Sequence, residues 1–252
     1  MRVFGLVLAA ALGAPSLGGA ADIRVLSGNA VQAPQKAAGQ DYSAKTGDRV
    51  SFFFTNPSII QKKIDADEPF ELYVIPSAFL AAAGKAGKLR AAFSRPLARV
   101  GVGVAVRENG PKYDFSTPEA FRKMLLEAKA IAYSDADTGG LSALSVQKML
   151  QNMGVADEVK AKAVTKPQGQ ELIATGEVDF GLFNVSEIPR AKGVILAGAA
   201  PAAVQAYLDY DAGIPTLNPD PAPAARLLDF LAAPEARKLW DAAGIDQVQA
   251  AK

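Results

Sequence analysis

The sequence predicts an α/β protein built from two parallel or mixed sheets joined by two hinge crossings. Three observations carry that prediction. From Asp22 onward, short β-branched or aromatic runs alternate with longer Ala- and Lys-rich stretches, the pattern of βαβ units around parallel sheets. Small polar and glycine-bearing clusters stand where strands hand over to helices. A mid-chain apolar run, ARVGVGVAVR, carries Gly101 and Gly103, where a backbone bends or is closely approached, and reads as a crossing between domains.

Each element follows from local pattern. Residues 23–26 read as a first strand that ends at Ser27-Gly28-Asn29. A helix interrupted around Pro34 and Gly39 then runs toward Lys45 and stops at Gly47. Residues 50–54 form a second strand, and Thr55-Asn56-Pro57-Ser58 makes a turn and helix start, with Ile59, Ile60 and Ile64 as the apolar stripe. Residues 72–75 form a third strand, followed by an Ala-rich helix ending near Gly84. After the strand over 100–106 and the loop Asn109-Gly110-Pro111, Ser116-Thr117-Pro118-Glu119 combines a capping-box pattern with a proline in the first turn of a helix ending near Ala128. Residues 130–133 are the next strand, and the polar connection 135–140 leads into a helix over 141–153 closed by Gly154. A helix over 168–175, ended by Gly176, precedes a strand over 178–183 that finishes at Asn184-Val185-Ser186-Glu187, and residues 194–196 make one more strand. Past Pro201 come AYLDYDAGIP, a Pro-rich loop, and helices over 224–232 and 234–243 ended by Gly244. The simplest arrangement places 22–100 and 208–252 in one domain and 101–207 in a second, with a ligand cleft between them.

Composition excludes much chemistry. The chain has 252 residues, long enough to bury a core without metals or disulfides, and contains neither Cys nor His. That removes zinc fingers, haem and iron–sulfur ligation, thiolate nucleophiles and any triad with a histidine base. With 27 Lys and Arg against 26 Asp and Glu and no basic cluster, the chain lacks the cationic face that nucleic acid requires. The opening MRVFGLVLAAALGAPSLGGAAD has one cation at Arg2, an apolar run over 3–12 and small residues up to Ala21. It reads as a secretory signal peptide over residues 1–21, cut near Ala20 or Ala21, and its apolar run is too short to span a bilayer. Removing Arg2 leaves cations and acids equal in number, and no cysteine follows for lipid attachment. A soluble, monomeric, periplasmic protein is expected.

Four strand ends carry donor-rich clusters: Ser27-Gly28-Asn29, Thr55-Asn56-Pro57-Ser58, Thr138-Gly139-Gly140-Leu141-Ser142 and Asn184-Val185-Ser186. In open α/β sheets the carboxyl ends of strands face the ligand crevice, and helix N-termini there offer unpaired N–H groups. Hydroxyls, amides and N–H groups from several loops can together replace the water stripped from an anion. The same residues are also ordinary helix caps and turn formers, so each cluster alone has a plain structural reading. Two adjacent glycines make the third cluster the most specific, and no lysine follows them at P-loop spacing, which argues against nucleotide. Arg99 opens the crossing strand, where a guanidinium could hold a carboxylate bidentately; its bland reading is a surface arginine. Asp135 and Asp137 form an acidic pair more typical of turns than of catalysis. Tyr207, Tyr210 and Trp240 read as packing residues.

The order of IRVLSGNA, RVSFFFTNPS, ELYVIPS, ARVGVGVAVR, AIAYSDADTGGLS, VDFGLFNVSEI and GVILAG, ending in FLAAPEARKLWDAAGI, resembles the periplasmic solute-binding proteins of ABC transporters. Within them it is similar to the molybdate-binding-protein-like branch, with the type 2 two-domain fold. The resemblance implies two lobes closing on a hinge over an oxyanion held by neutral donors, then delivery to a membrane permease. By position, Ser27 and Ser58 match the first-domain donors, and Thr138 to Ser142 with Asn184 match the second. NVSEI and Arg99 look like a divergent subgroup, in which a small di- or tricarboxylate makes use of an arginine. The expectation is a non-catalytic binder of a molybdate- or tungstate-type oxyanion or an organic carboxylate, with no cofactor and an ABC permease as partner. An exported carboxylate-dependent enzyme and the ligand-binding module of a membrane sensor are the alternatives.

Overall fold

The computed structural model describes residues 19–134, 141–165, 169–190 and 192–248. In chain order they form β1 (Asp22–Gly28), α1 (Gln32–Thr46), β2 (Arg49–Thr55), α2 (Pro57–Asp65), β3 (Leu72–Pro76), α3 (Ser77–Lys85), β4 (Arg95–Val100), β5 (Val102–Arg107), α4 (Pro118–Glu127) and β6 (Ile131–Tyr133). Then follow α5 (Leu141–Asn152), α6 (Ala156–Lys160), β7 (Ala163–Val164), α7 (Gly169–Thr175), β8 (Phe180–Asn184), β9 (Val194–Ala199), β10 (Leu208–Gly213), α8 (Pro221–Ala232), α9 (Arg237–Asp241) and β11 (Ile245–Gln247).

The α/β class holds, with two mixed sheets. One has the order β11-β4-β10-β3-β1-β2, and the other β7-β6-β8-β5-β9. In the first, β1 runs parallel to β2 and β3, while β10 runs antiparallel to β3 and β4. In the second, β6 runs parallel to β7 and β8, while β5 runs antiparallel to β8 and β9.

Alternation along the strands divides each core into two layers. Leu72 and Val74 of β3 join Ile23, Leu227, Leu231 and Trp240 on one face, whereas Tyr73 and Ile75 join Ile60, Ile64 and Leu80 on the other. Covered on both faces, β3 is buried from end to end, which is why it reads as an unbroken apolar run. Burial pushes the Tyr73 phenol up to about 12, with Asp67 and Glu68 adding to the shift.

Several local expectations change. The first helix is continuous through Pro34 and Gly39. Pro34 lies in the opening turn, where an N–H has no intrahelical acceptor to lose, and a Cβ at Gly39 would stand 2.7 Å from the Phe52 ring, so the glycine lets α1 lie close on β2. Helix α4 is capped by Thr117, which accepts from the Ala120 N–H at 3.1 Å, while Ser116 donates its hydroxyl to Asp114. Strands β10 and β11 had no distinct signal: LDYDAG mixes acids with small residues, and β11 has three residues.

The run read as one crossing strand is divided at Gly101, with β4 in the first sheet and β5 in the second. The other crossing, 200–207, lies against it. Gln205 accepts from the Val102 N–H at 2.8 Å and donates to the Val102 carbonyl at 2.9 Å, pairing both backbone groups as another peptide would. Gln205→Leu is therefore expected to lower unfolding free energy by about 1–3 kcal/mol in urea melts, because the Val102 N–H would lose its acceptor while the Val102 carbonyl would keep only the Ala200 N–H. A value near zero would show that water replaces the amide.

Candidate functional site

Parallel pairing brings the carboxyl ends of β1, β2 and β3 to one edge of the first sheet. Gly28 is in register with Thr55, and Ser27 with Val74. Asn56 follows Thr55 and caps α2 by accepting from the Ile59 N–H at 3.1 Å, while Ser58 in the opening turn is exposed. Helix α3 begins directly after β3 with no side-chain cap. The start of α3 therefore presents backbone donors with a positive dipole end.

The second sheet has a matching edge at the ends of β6 and β8, which are also parallel. Asn184 closes β8, is fully buried and donates to Glu187 Oε2 at 3.0 Å. Its Oδ1 is buried without a hydrogen-bond partner. A buried, unpaired amide oxygen calls for a donor from a ligand or an ordered water. Ser142, buried near the start of α5, donates to Ser134 Oγ at 2.9 Å.

These two edges touch. Ser186 donates its hydroxyl to the Ala30 carbonyl at 2.6 Å, linking the turn after β8 to the turn after β1. Val185 packs into the core of the first sheet. Gly28, Asn29, Thr55, Asn56 and Ser58 thus stand at one edge, and Ser142, Asn184 and Ser186 belong to the other. Thr138, Gly139 and Gly140, together with Asp135 and Asp137, lie outside the described residues, as do residues 1–18.

Ser27 and Arg99, like Ser142 and Ser186, are engaged by other groups of the protein. Ser27 is fully buried, donates to the Val74 carbonyl at 2.9 Å and accepts from Gln35 Nε2 at 2.8 Å. Its hydroxyl braces the end of β1 from within, with its proton already given to the backbone. Arg99 is drawn to Asp209 at 3.5 Å and lies 4.2 Å over the Tyr207 ring, with Asp246 in register on its other side. Asp209 supplies a counter-charge on the sheet face.

The sequence reading passed over Ser77 and Asp211, joined at 2.7 Å, and Glu187 beside Asn184. Pro76-Ser77 repeats the pattern of a strand end followed by a small polar residue and a helix, the signal that could have found it. Tyr210 is fully buried with its phenol against Gly28, where an added Cβ would stand 2.5 Å from the hydroxyl oxygen. Glycine at 28 is therefore a packing requirement as well as a turn residue. Among the described residues, no group of three or more His, Cys, Asp or Glu could hold a metal ion, and no helix is long and apolar enough to cross a membrane.

Comparison with known proteins adds four likenesses to this geometry. The family described as bacterial extracellular solute-binding protein matches residues 23–246. An aconitate isomerase from Pseudomonas sp is 24% identical over 234 residues, covering 90% of this chain and 88% of that protein. Among solved structures, the substrate binding domain assigned to a molybdenum ABC transporter from Clostridium difficile has a TM-score of 0.77 at 13% identity, covering 91% of this chain and 100% of the other. PEB3 from Campylobacter jejuni, bound to L-phospholactate, has a TM-score of 0.66 at 15% identity, covering 90% and 100%.

Proposed function

This chain belongs to the bacterial extracellular solute-binding protein family, and we propose that it captures a small organic polycarboxylate between its two sheets and passes it unchanged to an ABC permease of the inner membrane. The observation that carries this reading is the meeting of two carboxyl edges, both furnished with amide and hydroxyl groups, at the Ser186–Ala30 hydrogen bond. Residues 22–100 with 208–252 act as one lobe and 101–207 as the other, hinged at the two crossings. Ligand contacts made to both lobes favour the closed arrangement, which the permease then selects. Gly28, Asn29, Thr55, Asn56 and Ser58 supply one wall, and Asn184, Ser186 and Ser142 the other, with Thr138, Gly139 and Gly140 as further candidate donors. Neutral donors suit an anion because they replace its hydration without fixing one charge state. The polycarboxylate class is supported by the relative named for aconitate, and a structural neighbour bound to phospholactate supports a small organic anion more broadly. The protein works as an exported monomer.

Thermal shift and calorimetry with cis- and trans-aconitate, citrate, phospholactate, molybdate and sulfate test the reading. A carboxylate present at about 100 times its dissociation constant is expected to add roughly 2.7 kcal/mol of stability. Response to molybdate or sulfate alone would replace the ligand class, and silence across the panel would defeat the reading.

A second reading is favoured by one observation, the likeness to an isomerase over nine-tenths of the chain. In it Glu187 or Asp211, held at the two edges, removes a proton from a carbon next to a carboxylate and the proton returns at a different carbon as the double bond shifts. Proton NMR of aconitate with the protein in D2O separates the two. Deuterium uptake and isomer conversion mean catalysis, and an unchanged spectrum with measured binding means capture.

A further inference from the structure

Ala21 precedes β1 and both of its backbone groups are engaged. Its N–H donates to Asp48 Oδ1 at 2.9 Å, and its carbonyl accepts from the Arg49 N–H at 2.7 Å, while Gly19 and Ala20 before it are exposed. Asp48 is only 6% exposed. Its second oxygen receives the Tyr42 hydroxyl from α1 at 3.0 Å and the Arg226 guanidinium from α8 at 3.2 Å. Desolvation opposes a charge in such a place, yet these donors, the Ala21 N–H foremost, hold the Asp48 carboxyl below its ordinary range. The remaining charges nearby, Asp22 and Arg49, are exposed and pair with each other at 2.5 Å.

An anionic receptor for the backbone nitrogen of one residue stands at the very place where the leader gives way to the folded chain. We propose that the leader is cut between Ala20 and Ala21, and that the α-ammonium so created on Ala21 is seated on Asp48 as an ion pair that fastens the mature terminus. Of the two cuts compatible with the small residues before β1, the one after Ala21 discards both backbone hydrogen bonds and leaves Asp48 Oδ1 and the Arg49 N–H without their partners. The cut after Ala20 keeps both and turns a neutral N–H into a charged donor, which makes the stronger bond. Maturation thus strengthens the attachment of β1 to the turn before β2. The cleavage step rests on the proposed export. The ion pair does not, because a chain beginning at Ala21 can be prepared without a leader.

Two measurements test this. Intact mass and N-terminal sequencing of protein exported with its own leader are expected to give Ala21 as the first residue; a start at Asp22, or an uncut chain, overturns the cleavage. Separately, chains beginning at Ala21 are melted with the amine free and with it acetylated, which keeps the N–H but removes the charge. At about pH 6 the free amine is expected to melt roughly 2–4 °C higher. An amine paired with Asp48 has its folded pKa raised above the unfolded value of about 8, so its contribution is complete below that value and is lost as pH rises through the folded one. The gap should accordingly close in alkali, and Asp48→Asn should abolish it at every pH. Equal melting of free and acetylated chains at about pH 6 overturns the ion pair.

Discussion

Replacing Trp240 by alanine is expected to lower the unfolding free energy by about 3–5 kcal/mol, enough to threaten folding of a protein of ordinary stability. Trp240 on α9 is fully buried, and the layer it joins contains Ile23 and Val25 of β1, Leu227 and Leu231 of α8 and Ile245 of β11. Its indole N–H donates to the Leu231 carbonyl at 3.2 Å, an oxygen that also receives Gln247 Nε2 at 2.9 Å. One carbonyl near the end of α8 therefore ties down both α9 and the last strand, which closes the first sheet against β4. Truncation opens a cavity among side chains that α8 and the sheet hold in place, so little relaxation is available. Urea unfolding measures the loss, and Trp240→Phe should lose distinctly less because it keeps most of the buried volume. A loss under about 1.5 kcal/mol for the alanine variant would mean that the layer collapses around the gap.

Asn184→Leu is expected to weaken binding of whichever carboxylate the calorimetric panel identifies by about 30-fold or more, the effect of losing roughly 2 kcal/mol at a buried contact. Asn184 is fully buried, donates to Glu187 and keeps an unpartnered Oδ1. Leucine has the same branching and number of heavy atoms but neither orients Glu187 nor offers an acceptor to a ligand hydroxyl or a bridging water. Affinity falling with circular dichroism and urea midpoint retained assigns the residue to the site. Unchanged affinity in a folded variant would remove Asn184 from it. Ser27→Ala is the informative contrast. Because that hydroxyl is already paired with Val74 and Gln35, its loss should appear in stability before it appears in affinity.

Much of the framework was legible because it depends on neighbours close in the chain. Alternating runs mark β1 and β2, and the buried run of β3 is continuous for the reason that both its faces are covered. Asn56-Pro57 and Thr117-Pro118 announce helix starts, and glycines at 47, 154, 176 and 244 adopt the left-handed conformation that ends helices. Strand β10 escaped because its place between β3 and β4 is set by partners more than 100 residues away, and nothing in LDYDAG itself declares a central strand.

The α/β class, the exclusion of thiolate and imidazole chemistry, and the placing of small polar clusters at strand ends are thus properties of the sequence by itself, since periodicity, capping and composition act over a few residues. Tertiary structure alone decided which of those clusters keep a polar atom to offer. Ser27 and Asn184 look equivalent in the sequence, each a small polar residue closing a strand. Ser27 has its proton taken by a carbonyl 47 residues on, while Asn184 retains an unpaired oxygen at the other edge. A hydrogen bond is settled by whatever folding brings within 3 Å, and that partner is invisible to any local reading of the chain.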